Sequence, residues 1–265
     1  MIILGPGRTI KTVRTFLQLK GNRLEEVKSE VVREQPLVIS VNGEKFVTLL
    51  CSPLKLDCLV VGYLWLEKVI TSLDEIARMQ VSEVDGRADV TLTGEVELPS
   101  ERILTSGCGG GITFRIDPRL FPKIHSSLRV RPEQLSQRMK DLYSEAVNYR
   151  AMRGIHGAAL TDGDQLLIVA EDVGRHNAVD KIKGEALLRG ISTTDRVLLS
   201  TGRISSEMLL KAARMGVPLV ASRTSPTEMA VSLAEQLGIS VVGYLRPESL
   251  NLYSGDALVF DQPFT

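Results

Sequence analysis

Three cysteines in 265 residues (Cys51, Cys58 and Cys108) make an odd, sparse set. Such a set is wrong for a disulfide framework and fits a reducing compartment. Net charge is missing too. Lys+Arg and Asp+Glu both number 32, so no overall field draws the chain to nucleic acid or to an anionic membrane. No apolar run approaches the roughly 20 residues needed to span a bilayer. The N-terminal MIILGPGRTIKTVRTF has no basic region before its short apolar run and no signal-type cleavage site. These absences predict a soluble, cytoplasmic protein that works on neither nucleic acid nor membrane.

Several motifs are also missing. Gly5–Thr12 resembles a phosphate-binding P-loop, but Ile10 stands where that loop requires glycine. The glycines from Gly107 are no dinucleotide fingerprint, because Ile112 occupies the final glycine position. With no Cys-x-x-Cys and no His-x-Glu, a zinc deaminase site cannot be built. His125 is isolated, and His156 precedes an apolar strand, where a structural role is the commoner one.

What the chain does have is Thr105-Ser-Gly-Cys108-Gly-Gly-Gly111. Glycine lacks a Cβ and sweeps a wide range of φ at little steric cost. A thiol on such an arm has reach, which suits a group carrier better than a rigid hydrolase. Cys51 and Cys58 fall in a predicted strand and a predicted helix and read as core residues.

In chain order, residues 7–50 are strand-like. Asn42-Gly43 between Val38–Val41 and Glu44–Leu50 marks a hairpin. Ser52-Pro53 reads as an N-cap and first helical residue, opening a helix to about Ile70 with an apolar face at Leu56, Leu59, Val60, Tyr63 and Leu64. A second hairpin is predicted over 75–95, turning at Asp85-Gly86. Residues 112–130 read as an irregular connector, and a helix is predicted from Pro132 to about Tyr149.

The second half changes period. A hairpin over 157–170 turns at Asp162-Gly163, and a helix over Asn177–Arg189 stops at Gly190. Strands then alternate with helices: Val197–Ser200, Ser205–Met215, Pro218–Ser222, Pro226–Leu237 and Ile239–Tyr244. That alternation predicts parallel strands joined by right-handed crossovers, an α/β half with helices around its sheet. The expected division is a β-rich part over 1–130, carrying the Cys108 loop, and an α/β domain over 131–265.

Ligands of open α/β sheets bind beyond the carboxyl ends of the strands. Three segments are predicted there: 171–177, with acid, base and imidazole in one short turn; 201–207, with hydroxyls and backbone N–H groups suited to a phosphate; and 244–249. Helix capping is the competing role for Ser205, Ser206 and Glu207.

Gly154-Ile-His-Gly-Ala-Ala-Leu160, Glu171-Asp-Val-Gly-Arg-His-Asn-Ala-Val-Asp-Lys181 and Thr201-Gly-Arg-Ile-Ser-Ser-Glu-Met208 together resemble the formate dehydrogenase accessory protein family, FdhD/NarQ. Ser225–Ala230 and Asn251-Leu-Tyr253 extend the resemblance, which runs from about Val38 to Tyr253. It implies a sulfurtransferase that accepts a persulfide from a cysteine desulfurase on a loop cysteine. That sulfur passes to the molybdenum or tungsten bis(molybdopterin guanine dinucleotide) cofactor of formate dehydrogenase. It also implies a homodimer and a cytidine deaminase-like three-layer α/β/α C-terminal domain without zinc, beside a smaller β-rich (α+β) N-terminal part.

By position, Cys108 matches the persulfide cysteine. Tyr244, Leu245, Arg246, Pro247, Glu248 and Ser249 match a segment associated with the guanine dinucleotide. Two departures stand out: Gly111 replaces the family's second loop cysteine, and Glu248-Ser249 stand where some members carry glycine and arginine. Two other functions remain open. One is a chaperone that holds the same cofactor without sulfur chemistry, and the other is a nucleotide-processing enzyme using His176 and Asp172.

Overall fold

The computed structural model describes residues 2–4, 10–95, 102–104, 112–114 and 121–260. The expected Cys108 arm, 105–111, lies outside the described residues. The fold is mixed α/β. Among the described residues no helix is long and apolar enough to cross a membrane.

The first sheet joins β1 (Ile2–Leu4), β4 (Gln35–Val41), β5 (Glu44–Cys51), β6 (Ile76–Ser82) and β7 (Arg87–Leu92) in the order β1-β6-β7-β4-β5. β2 (Lys11–Lys20) and β3 (Arg23–Val32) form a separate hairpin. The turn at Asn42-Gly43 has φ 50° and 87°, the paired positive values of a type I′ hairpin. A short ladder, β8 (Arg102–Leu104) with β9 (Ile112–Phe114), pairs Leu104 with Ile112, the residues either side of 105–111. The connector expected over 112–130 is therefore a strand at its start.

Helix α1 (Leu56–Leu66) departs from expectation at both ends. Ser52 does not cap it. Its Oγ accepts from Val173 N–H at 3.0 Å and its own N–H donates to Asp172 Oδ2 at 3.1 Å, so a turn 120 residues away takes the groups a cap would need. The helix starts three residues later, with Lys55 at the N-cap in the left-handed region. At the far end Lys68, at φ 59°, turns the chain, and Val69 and Ile70 both donate to Leu64 O. Nor is α1 one-sided. Its residues are buried nearly all round, because the first sheet covers one side and a second helix the other.

That second helix is α4 (Arg175–Leu188), reached through α2 (Pro132–Glu145), α3 (Val147–Met152), β10 (His156–Thr161) and β11 (Leu166–Asp172). A Cβ on Gly62 would sit 1.8 Å from Asp180 O, and one on Gly184 1.8 Å from Cys58 O. The two helices thus cross backbone to backbone through one glycine from each. The single helix expected over 132–149 is broken at Ala146. There the Glu171 carboxylate accepts from Tyr149 N–H (2.6 Å), one of the backbone donors that open α3, and from the Asn148 side-chain Nδ2 (2.7 Å).

β12 (Val197–Ser200), α5 (Ser206–Arg214), β13 (Leu219–Ser222), α6 (Glu228–Leu237), β14 (Ser240–Gly243) and β15 (Asn251–Ser254) complete the second sheet, ordered β11-β10-β12-β13-β14-β15. β12, β13 and β14 are parallel. The β10–β11 hairpin makes one edge, and β15, absent from the sequence reading, pairs antiparallel at the other. Gly190 and Gly216 follow the C-caps of α4 and α5 as C′ glycines and Gly238 is the C-cap of α6, all at φ 65–71°. One apolar core lies between the sheet and α4, α5 and α6, and another between its opposite face and α2.

Candidate functional site

β11, β12, β13 and β14 all end at one edge of the second sheet, at Asp172, Ser200, Ser222 and Gly243. The three expected segments therefore do converge. A fourth joins them, 223–227 after β13, and His156 sits opposite Asp172 at the start of β10. The loops are tied to one another. Ser222 Oγ donates to Gly202 O at 2.6 Å, Tyr244 N–H to Thr224 O at 3.1 Å, and Leu245 N–H to Ser222 O at 2.9 Å.

The turn after β12 needs glycine. A Cβ on Gly202 would stand 3.0 Å from Arg175 Cβ and 3.1 Å from His156 Nδ1, so its absence lets arginine and imidazole close over the turn. Ser205 caps α5, accepting from Met208 N–H, and Thr227 caps α6 the same way. His176 Nε2 lies 3.2 Å from Ser205 Oγ and 3.4 Å from Glu207 Oε2. Burial, with Lys211, Arg175, His156 and Arg203 around it, pushes His176 down to about 2, so the ring beside Glu207 is neutral and the two form no ion pair at neutral pH. His156 is also lowered, by burial and then by Arg175, against the pull of Asp172. The edge thus holds neutral imidazoles beside fixed cations, and Arg203 is exposed. That arrangement favours an anion.

The neutral His176 has a measurable consequence. Its folded pKa lies below the unfolded one, so between the two the unfolded chain binds the extra proton and stability falls as pH falls. Taking the protein from about pH 7.5 to about pH 5.5 should remove about 1.4 kcal/mol through this group. Asp180 works the other way, because burial raises its carboxyl to about 6 despite Lys211 beside it. The effect is therefore read as a difference. Urea unfolding of wild type should lose stability on acidification relative to His176→Gln, and parallel pH profiles would contradict a buried neutral ring.

Residues 171–181 turn out to be mostly structural. Asp172 pairs with the fully buried Lys181 at 2.5 Å and accepts from Ser52 N–H, Gly174 N–H and Asn177 Nδ2. Lys181 also donates to Ser52 O and Glu171 O. Asp180 pairs with Lys211 at 2.5 Å. Burial opposes the charge on Lys211, but Asp180, Glu67 and Glu207 together raise it. Asp172 and His176 therefore do not form the acid–base pair of a nucleotide-processing site: one is locked in an ion pair and the other is too weak a base.

In 244–249 the six residues divide. Tyr244 adopts φ 50°, a left-handed conformation rare outside glycine, and its ring is exposed. Leu245 is buried in the core. Arg246 Nη1 donates to Arg223 O (2.7 Å) and Leu245 O (3.0 Å), while Arg246 N–H closes a turn on Ser249 O. Arg246 thus braces the neighbouring loop, and Pro247, Glu248 and Ser249 form an exposed turn. The preceding Gly243 admits no Cβ, which would meet Tyr253 Cε2 at 2.8 Å and Pro226 Cδ at 2.9 Å.

Of the cysteines, Cys51 and Cys58 lie in the core as expected. Burial is the main cause that pushes both thiols up to about 12, Asp172 adding to it at Cys51 and Asp57 at Cys58. Neither is a thiolate at neutral pH. Cys108 falls outside the described residues. Sequence reasoning missed the roles of Gly202 and Gly243, whose signal is a glycine at or just past the carboxyl end of an apolar strand.

These features define an α/β protein whose parallel strands end in a cationic, loop-lined edge, the place where open sheets bind ligands. The FdhD/NarQ family model matches residues 32–259, and the chain belongs to that family. It is 37% identical over 251 residues to the sulfur carrier protein FdhD of Bacillus subtilis, covering 92% of this chain and 96% of the relative. To the protein of the same name from Bacillus pumilus it is 40% identical over 252 residues, covering 93% and 96%. A crystal structure from Desulfotalea psychrophila, provisionally described as a formate dehydrogenase accessory protein, matches with TM-score 0.80 at 25% identity, covering 95% of this chain and all of that one.

Proposed function

We propose that the chain is a sulfur carrier serving formate dehydrogenase, with Cys108 as the carrying thiol. The observation that carries this reading is the fate of the other two cysteines. Both are buried and held protonated, and the thiolate is the nucleophile in sulfur exchange. Cys108 is flanked instead by glycines, and the β8–β9 ladder pairs the residues either side of its loop.

The Cys108 thiolate attacks the outer sulfur of a persulfide on a cysteine desulfurase. The S–S bond of the donor breaks, its thiolate leaves, and Cys108 becomes the persulfide, with no net oxidation. The terminal sulfur then passes as sulfide to the molybdenum or tungsten bis(molybdopterin guanine dinucleotide) cofactor, which is substrate here; the S–S bond on Cys108 breaks, two electrons come from an external thiol reductant, and the Cys108 thiolate is regenerated. Its dinucleotide lies along the carboxyl edge, with Arg203 and Arg175 toward the diphosphate and Tyr244–Ser249 as a clamp. A homodimer in the cytoplasm belongs to the same reading.

The test is reconstitution. The chain, loaded with desulfurase and cysteine, should activate formate dehydrogenase whose cofactor lacks the sulfur, and failure to activate would contradict it. The clamp makes its own prediction. By calorimetry, guanosine diphosphate should bind more tightly than adenosine diphosphate, because base discrimination needs polar groups matched to the guanine edge. Arg203→Gln should weaken both about tenfold by removing a phosphate contact. Equal affinities would remove the guanine assignment.

A further inference from the structure

The carboxyl edge is not the one place where the fold gathers cations. At the other ends of α4 and α5 a cavity of about 630 Å³ opens between Trp65, Lys183, the 191–195 loop, Arg214 and the 122–125 segment. That size lies in the range of small-molecule sites. Lys183 stands eight residues beyond Arg175 on α4, and Arg214 eight beyond Ser206 on α5, so the cavity lies about 12 Å down both helices from the candidate site.

Two of its cations are poorly satisfied. Lys183 is 7% exposed, and its ammonium has one long hydrogen bond, 3.5 Å to Thr193 Oγ1. That hydroxyl is itself committed as a donor to Met215 O at 2.6 Å. No carboxylate pairs with Lys183 among the described residues. Its other neighbour is the Trp65 ring, 3.7 Å from Nζ to the ring centre. An ammonium has three donors, and a buried charge left without a counterion is costly. Burial accordingly lowers Lys183 to about 8, which still leaves it largely charged at neutral pH.

Arg214 repeats the pattern. Its buried Nε and Nη1 have no hydrogen-bond partner among the described residues, and its guanidinium lies over the Phe121 ring at 5.7 Å. Glu67 and Asp180 act on it only through their charge. Two underused cations therefore line one cavity, each backed by an aromatic face, with Lys123 at its rim. One acid, Asp195, lines it as well, and its Oδ1 accepts from Ser126 Oγ at 2.5 Å.

We propose that this cavity binds a small oxyanion of the phosphate or phosphate-monoester class between Lys183 and Arg214. Such a ligand supplies several acceptor oxygens for the two ammonium protons of Lys183 without a partner, and its negative charge suits the Arg214 guanidinium that lines the same cavity. A neutral ligand would leave the Lys183 charge without a counterion. A cation would meet both charges directly.

The sequence supplies the reporter. Trp65 is the single tryptophan, and it lies against Lys183. Inorganic phosphate, and separately glycerol phosphate, would be titrated against the full-length protein, replacing chloride at fixed ionic strength. Trp65 fluorescence should change and saturate. Lys183→Met and Arg214→Gln should each raise the dissociation constant at least about tenfold. Arg203→Gln, at the carboxyl edge, should leave the Trp65 response as in wild type. Lys183→Met removes a buried charge, so loss of folding is not expected; should it misfold, Arg214→Gln carries the comparison. Tighter binding of glycerol phosphate would assign the monoester, and tighter binding of phosphate the free ion. No saturable change with either anion, or saturation unaltered in both cavity variants, would overturn the proposal.

Discussion

Alanine at Gly184, or at Gly62, is expected to cost about 3 kcal/mol or more of folding stability. Alanine is the better helix former by roughly 1 kcal/mol, so local propensity predicts the opposite sign. Packing decides the matter. The new methyl would lie 1.8 Å from a backbone carbonyl oxygen in either case, Cys58 O or Asp180 O, and a carbonyl inside a helix has no rotamer to change. Relief requires α1 and α4 to move apart. That movement strains the contacts that bridge the two helices and the two sheets, among them Lys181 to Ser52 O. Gly94→Ala is the control, since a Cβ there meets nothing within 4 Å, and it should change stability by less than about 0.5 kcal/mol. Urea denaturation of the three variants checks this. A cost below about 1 kcal/mol at both helix positions would mean that the crossing is looser than the geometry states.

The second large effect is functional. Cys108→Ser should abolish activation of formate dehydrogenase in cells lacking the native protein and leave stability unchanged. Oxygen at that position can neither form nor hold a persulfide. Cys51→Ala and Cys58→Ala should behave in the opposite way, keeping activation and losing about 1–3 kcal/mol, because each removes a packed atom from the core and no reactive group. Activation by the Cys108 variant, or its loss in a stable Cys51 or Cys58 variant, would move the carrier to another residue.

How far the sequence could be read depended on the range of each interaction. Asn42-Gly43 and the glycines after α4, α5 and α6 were legible because a positive φ is a local demand that few residues meet. The βα alternation was legible for the same local reason, as apolar strands and capped helices follow one another at short range. Ser52 was misread because its cap pattern is local and its actual partners, Asp172 and Val173, are not. β15 escaped because Asn251–Ser254 is short and half exposed, with no apolar alternation to mark it. Gly62 and Gly184 gave no sign of each other, since nothing near either one names the helix it will touch.

The candidate site was legible in outline. Its three predicted segments do meet at one edge, yet much of 171–177 reads as chemistry in sequence and serves, with Asp180 and Lys181 behind it, as architecture in the fold. Buried Asp172–Lys181 and Asp180–Lys211 look no different, as letters, from an acid–base cluster facing solvent. The same holds within 244–249. Leu245 belongs to the core and Arg246 braces the 223 loop, which leaves Tyr244 and the exposed turn to face a ligand.

The central claim is that sulfur travels on Cys108, and intact-mass analysis after incubation with a cysteine desulfurase and cysteine tests it most directly. The account predicts one added sulfur on the wild-type chain, removed by reductant and absent from Cys108→Ser. An unmodified wild-type chain that still binds the cofactor would instead describe a chaperone, and an adduct persisting on Cys108→Ser would contradict the assignment outright.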